Sequence, residues 1–232
     1  MAEFYIDYTD EAAELMKKAD AGDAEAQYKF ATYLLREPDY SVRDDLHADQ
    51  INRAITYLQK AAAQGYFDGL VAGDLGDIYY HGKVVPKDYK KAKLWYNTAL
   101  LKNHPPAAYM LGECAYYGYE EAVDYKKAAD YYIKAAPEFV DAVIRLGDMY
   151  MQGEYFSIDR GFARMLFEYV LQSEDWLFKK YGFYSAAHKM ALLRMDELER
   201  NDRFIGETVI DETEEQAAIR AKLLEIIEND KY

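Results

Sequence analysis

Leu75-Gly76-Asp77-Ile78-Tyr79 recurs as Leu111-Gly112-Glu113 and again as Leu146-Gly147-Asp148-Met149-Tyr150, at glycine intervals of 36 and then 35 residues. A fixed period of this length marks a repeat architecture, which decides the fold before any single element is assigned. A second motif runs in phase. Asp88-Tyr-Lys-Lys-Ala92 matches Asp124-Tyr-Lys-Lys-Ala128 and, more loosely, Asp159-Arg-Gly-Phe-Ala163, each alanine lying 16 residues after its glycine. Three and four residues further come Trp95-Tyr96, Tyr131-Tyr132 and Leu166-Phe167, and seven further Ala99, Ala135 and Val170.

Spacings of 3, 4 and 7 between buried-type residues belong to the helical period, not to strand alternation. Each unit therefore reads as two helices. Gly82, Gly118 and Gly153 each follow the repeat glycine by six residues, where a left-handed residue can end the first helix. Asp88, Asp124 and Asp159 stand where N-caps of the second helix belong. Thr213-Glu-Glu-Gln216 has capping-box spacing. Gly76, Gly112 and Gly147 fall inside a helix, where glycine costs about 1 kcal/mol against alanine; close approach of a neighbouring helix is the expected compensation.

Two outer copies are degenerate. Ala26 to Ala31 keeps the spacing of Ala142 to Gly147, and its partner helix carries Ala54, Tyr57, Leu58 and Ala61 in register. Ala31 to Ala54 spans 23 residues instead of 16, an insertion around 37–41. A last copy starts near Ala186 and resumes at Ala217 after a gap of 26, with a loop expected over 200–208. The expected fold is all-α, a right-handed α/α superhelix forming one solenoid over 1–232. An N-terminal cap over 9–22 precedes five helix-pair repeats at 24–65, 68–103, 106–138, 140–174 and 184–228.

These motifs resemble the Sel1-like repeat family, relatives of the tetratricopeptide repeats with a slightly longer period. Leu75-Gly76-x-x-Tyr79, Gly82-Lys-Val-Val85, Asp88-x-x-Lys91-Ala92 and Trp95 follow the family pattern, as do Lys60-Ala61-Ala62 and Lys134-Ala135-Ala136. The resemblance covers about Leu15 to Ile227, strongest in the middle three units. It implies that first helices line a concave, ligand-binding surface, and that the chain is a non-catalytic scaffold for a protein or peptide. The single cysteine departs from the cysteine-rich, exported branch, which has a disulfide in each repeat.

Catalytic constellations are sparse. His47, His81, His104 and His188 are scattered, with no His-x-x-x-His or Glu-x-x-His pair, so neither metal nor cofactor is expected. Cys114 reads as a small core residue. Tyr79, Tyr96, Tyr131, Tyr132 and Tyr150 occupy core positions of the repeat, where rings pack and hydroxyls reach an edge.

Another set has no packing explanation in the sequence. Positions three before, one after and five after the repeat glycine share a first-helix face. They are Tyr28, Thr32 and Arg36; Gly73, Asp77 and His81; Tyr109, Glu113 and Tyr117; Ile144, Asp148 and Gln152; His188, Leu192 and Asp196. On the implied concave surface, Asp77, Glu113 and Asp148 would stack as an acidic ladder beside Tyr109 and Tyr117, a groove for a basic or polar peptide. The alternative is a solvated helix position that favours Asp or Glu for no further reason.

Composition bounds the partners. The chain has 232 residues and a formal net charge of −14, unsuited to nucleic acid or an anionic membrane surface. Residues 1–25 carry −6 and residues 196–232 carry −7, leaving −1 on the repeat body. The N-terminal stretch resembles no signal peptide, and no run approaches the roughly 20 apolar residues of a membrane span. A cytoplasmic monomer or weak oligomer is expected. The alternative function is a bacterial immunity-type inhibitor that neutralises a basic toxin, which a compact acidic protein would steer toward electrostatically.

Overall fold

The computed structural model describes residues 10–36, 44–173, 185–201 and 211–229. The expected insertion around 37–41 and residues 202–208 of the loop expected over 200–208 lie outside the described residues, while Arg200 and Asn201 instead close the helix that precedes that loop. Among those described, helices alternate with short turns and no strand occurs. In chain order they are α1 (Asp10–Asp20), α2 (Ala24–Arg36), α3 (Asp44–Ala63), α4 (Leu70–His81), α5 (Tyr89–Leu100) and α6 (Pro105–Tyr117). Then come α7 (Tyr125–Ala135), α8 (Val140–Gln152), α9 (Arg160–Ser173), α10 (Ala186–Asn201) and α11 (Glu214–Asn229). No described helix is long and apolar enough to cross a membrane.

Local chemistry sets the helix ends where the sequence places them. Gly82, Gly118 and Gly153 have φ of +64°, +67° and +77°, the left-handed region that glycine enters without a Cβ penalty. Each cap aspartate accepts a backbone N–H three residues on. Asp88 takes Lys91 at 2.9 Å, Asp124 takes Lys127 at 2.9 Å and Asp159 takes Phe162 at 2.8 Å. Thr213 and Gln216 form the reciprocal capping box at the start of α11.

The helices group into two compact units, residues 1–107 and 108–232. In unit 1, α2 pairs with α3 and α4 with α5, α3 abuts α4, and α1 covers α2 through buried Ala12 and Ala19. The core runs from these alanines through Phe30, Ala54, Leu58 and Leu75. In unit 2, α8 pairs with α9, α7 abuts α8, and α10 packs on α9 as the first helix of a further repeat would.

The last helix departs from the expected register. Among the described residues α11 lies against α7 and the α8–α9 turn, not in the place of a fifth second helix. Arg220 holds it there. Its guanidinium grips Glu212 at 2.7 Å and Asp159 at 2.9 Å, and lies over the Phe162 and Tyr150 rings at 4.1 and 5.0 Å. The Gln216 amide also donates to the Tyr155 carbonyl, and Glu215 pairs with Lys126 at 2.8 Å. Asp159 is open to this contact because Phe162 stands where Lys91 stands beside Asp88.

Candidate functional site

The repeat glycine explains the first-helix face. A Cβ on Gly76 would lie 2.3 Å from the Tyr96 ring, on Gly112 2.5 Å from the Tyr132 ring, and on Gly147 2.5 Å from the Phe167 ring. The close approach is thus a side-chain ring from the second helix, laid flat across the first. The ring's tip then reaches the acid one residue beyond the glycine. Tyr96 donates to Asp77 at 2.7 Å and Tyr132 to Glu113 at 2.6 Å. Phe167 has no hydroxyl, and here Arg194 serves Asp148 instead, through Nε at 2.5 Å and Nη2 at 3.3 Å.

In unit 2 this produces a buried polar chain. Glu113 and Asp148 are only 6% and 3% exposed. Arg145 of α8 donates to Glu113 at 2.6 Å and to the Tyr117 hydroxyl at 3.2 Å, and lies 3.9 Å from Asp148. Its guanidinium sits 5.7 Å from both the Tyr116 and Tyr117 ring centres. Burial works against its charge, but the Glu113 carboxylate outweighs burial and raises its pKa. Burial likewise pushes the Asp148 carboxyl up, and Arg194 opposes it. Burial also raises the phenol of Tyr109 to about 12, so it stays protonated. Tyr109, Ile144, Arg145, Asp148, Met190 and Arg194 line a pocket of about 130 Å³.

Unit 1 is built differently. Asp77 is exposed and Asp74 half-buried on α4, and Tyr28 donates to Asp74 at 3.1 Å. Burial raises the Asp74 pKa despite that bond. The His104 ring lies over Gly73, whose missing Cβ would meet Nε2 at 2.9 Å, and burial lowers its pKa.

The expected ladder is therefore corrected. Packing does account for its rungs, each placed to receive a ring hydroxyl or a guanidinium. In unit 2 the carboxylates are neither solvated nor open to a peptide. Of the other face positions, Tyr28, Thr32 and Tyr109 are half-buried, and His81, Tyr117 and Gln152 are exposed. His188 is buried in the first turn of α10, its N–H capped by Ser185, so it does not belong to an open face. The side chains of Arg36 and His47 lie outside the described residues. Cys114 is buried. Among the described residues no group of His, Cys, Asp and Glu is placed to hold a metal.

Arg145, Arg194, Asp74 and His104 escape a reading by face position. One signal for the first was present: two residues before the repeat glycine stand Asp74, Met110 and Arg145, a reversal of charge within one register.

Comparison with known proteins bears on the fold. No curated protein compared matches the chain. A Sel1 repeat protein from Oxalobacter formigenes aligns with a TM-score of 0.56 at 22% identity, covering 82% of this chain and 78% of that one. A protective antigen of uropathogenic Escherichia coli strains, displaying an SLR fold, gives 0.58 at 22% identity. That alignment covers 94% of this chain but 49% of the antigen, so the chain spans about half its length. An immunity protein from Pseudomonas aeruginosa gives 0.32 at 13% identity, which lends the inhibitor reading no weight. Proteins of Sel1 repeats generally mediate protein–protein interaction. The Sel1 repeat profile matches residues 24–66, 73–104, 105–136 and 140–169, more than half the chain, ending before the helix that leaves the register, and the chain belongs to the Sel1 repeat family.

Proposed function

We propose that this chain is a non-catalytic scaffold that binds a protein or peptide partner through the exposed side chains of its first helices. Tyr117 carries the reading. The residue is 46% exposed although Tyr116, Tyr119 and Arg145 pack against its ring, with centres at 5.0, 5.7 and 5.7 Å. A large aromatic held in place before binding loses little entropy on contact, which is the property of an interface anchor. Gln152 and Asp196, and in unit 1 Asp77 and His81, are the exposed polar positions of the same register. The internal pairing of Glu113 and Asp148 removes them as receptors for a basic peptide, so contact in unit 2 falls to Tyr117 and the exposed polar positions of that register.

Site-specific photocrosslinking tests this. A benzoylphenylalanine at position 117 should capture a partner in host cells, and the same group at exposed Leu94 of the second helix α5 should not. Capture at position 94 alone would contradict the proposal.

A further inference from the structure

The two units treat one register in opposite ways. In unit 2, Arg145 fills the space between Glu113 and Asp148 with tyrosine rings against its face. In unit 1, the residue at the equivalent place is Asp74, so α4 presents two carboxylates, Asp74 and Asp77, three residues apart. Their hydrogen bonds come from the phenols of Tyr28 and Tyr96, at 3.1 and 2.7 Å. Phenols are neutral, so neither bond supplies a compensating charge. His104 adds no compensating charge at neutral pH, because burial lowers its pKa. Lys29, near Tyr66, is held by Glu25 at 2.5 Å.

Beside the carboxylates stands an aromatic trio. The Tyr28 ring lies 5.7 Å from Tyr66 and 5.9 Å from Phe67, and those two are 4.4 Å apart. Phe67 is 58% exposed. Ring faces attract cations through their quadrupole, and a planar guanidinium can stack on a ring while its edge donates to carboxylates. The same combination of two carboxylates and tyrosine faces holds a guanidinium inside unit 2.

We propose that the patch formed by Tyr28, Tyr66, Phe67, Asp74 and Asp77 binds a cationic side chain of the partner, arginine before lysine. It rests on the scaffold reading above and names the chemistry the partner presents to unit 1. The carboxylates accept the N–H groups and the rings lie against the planar face.

The test is a two-dimensional NMR titration of the full chain with Nα-acetyl-arginine N-methylamide, beside its neutral citrulline isostere. Saturable shifts at the five residues are expected with the arginine amide alone. Phe67→Ala and Asp77→Asn should each weaken binding about fivefold. Asparagine at 77 can still accept from Tyr96, so the fold should hold, and unchanged spectra elsewhere would verify it. Absence of saturable shifts, an equal response to citrulline, or wild-type affinity in both variants would overturn the proposal. Because no partner is present, such a result leaves the scaffold reading intact, and the crosslinking experiment decides that one separately.

Discussion

Asp77, Glu113 and Asp148 each stand 19 residues before a ring, and only the third ring, Phe167, lacks a hydroxyl. Arg194 takes that hydroxyl's place, and its removal should be felt strongly because it would strand a buried carboxylate. Arg194→Met is expected to destabilise the chain by about 3 kcal/mol, since breaking a buried pair leaves an uncompensated charge. Adding Asp148→Asn should recover part of that loss, as read from urea midpoints. An Arg194→Met variant as stable as wild type would contradict the pairing. The 19-residue offset stands in the sequence, but a reading by helix face assigns these acids to a binding ladder and does not connect them with the rings. The guanidinium partners were not legible either. Arg145 and Arg194 lie 32 and 46 residues from the acids they bind, at positions the other repeats fill with unrelated residues.

Glycine and caps operate at the scale of the helix pair. Gly112→Ala would gain about 1 kcal/mol of helix propensity but push a Cβ into the Tyr132 ring, which Glu113 pins by its hydroxyl. Overpacking of this kind costs about 1–3 kcal/mol, so a net loss is expected on thermal unfolding. Gly147→Ala should lose less, because the Phe167 ring has no such tether.

The caps set an acid dependence. The Lys91 backbone N–H, above all, holds the Asp88 carboxyl below the ordinary range. A folded pKa below the unfolded one stabilises above the unfolded value of about 4 and is lost as pH falls through the folded value. Asp88→Asn still accepts the N–H but does not titrate there. Its urea midpoint should therefore fall less between about pH 5 and pH 2 than wild type; parallel curves would contradict this cap.

Caps and turn glycines were legible because each depends on one residue and its local backbone. The placement of α11 was not, since the capping box predicts where the helix starts and nothing about what it packs on. Arg220→Met should speed hydrogen exchange throughout 214–229 while α8 and α9 keep their protection. Uniform protection would show that Arg220 does not hold α11.

For the whole molecule, the net charge of −14 describes the ends more than the repeats. The terminal segments carry nearly all of it, and α1 and α11 both lie there as covers on their units. The first-helix face is set instead by which acids have a guanidinium of their own. Unit 2 supplies Arg145 and Arg194; in unit 1 Asp74 and Asp77 have phenols. The repeat period made the all-helical fold readable from three glycines, whereas the state of the face depended on side chains that the period does not repeat.

Calorimetric titration of the crosslinked partner against four chains decides whether the first helices carry binding. Tyr117→Ala and Asp77→Asn, on first helices, should each weaken binding about tenfold, while Leu94→Ser on the second helix α5 should match wild type. Full affinity in both first-helix variants, with loss in Leu94→Ser, would contradict binding through the first helices.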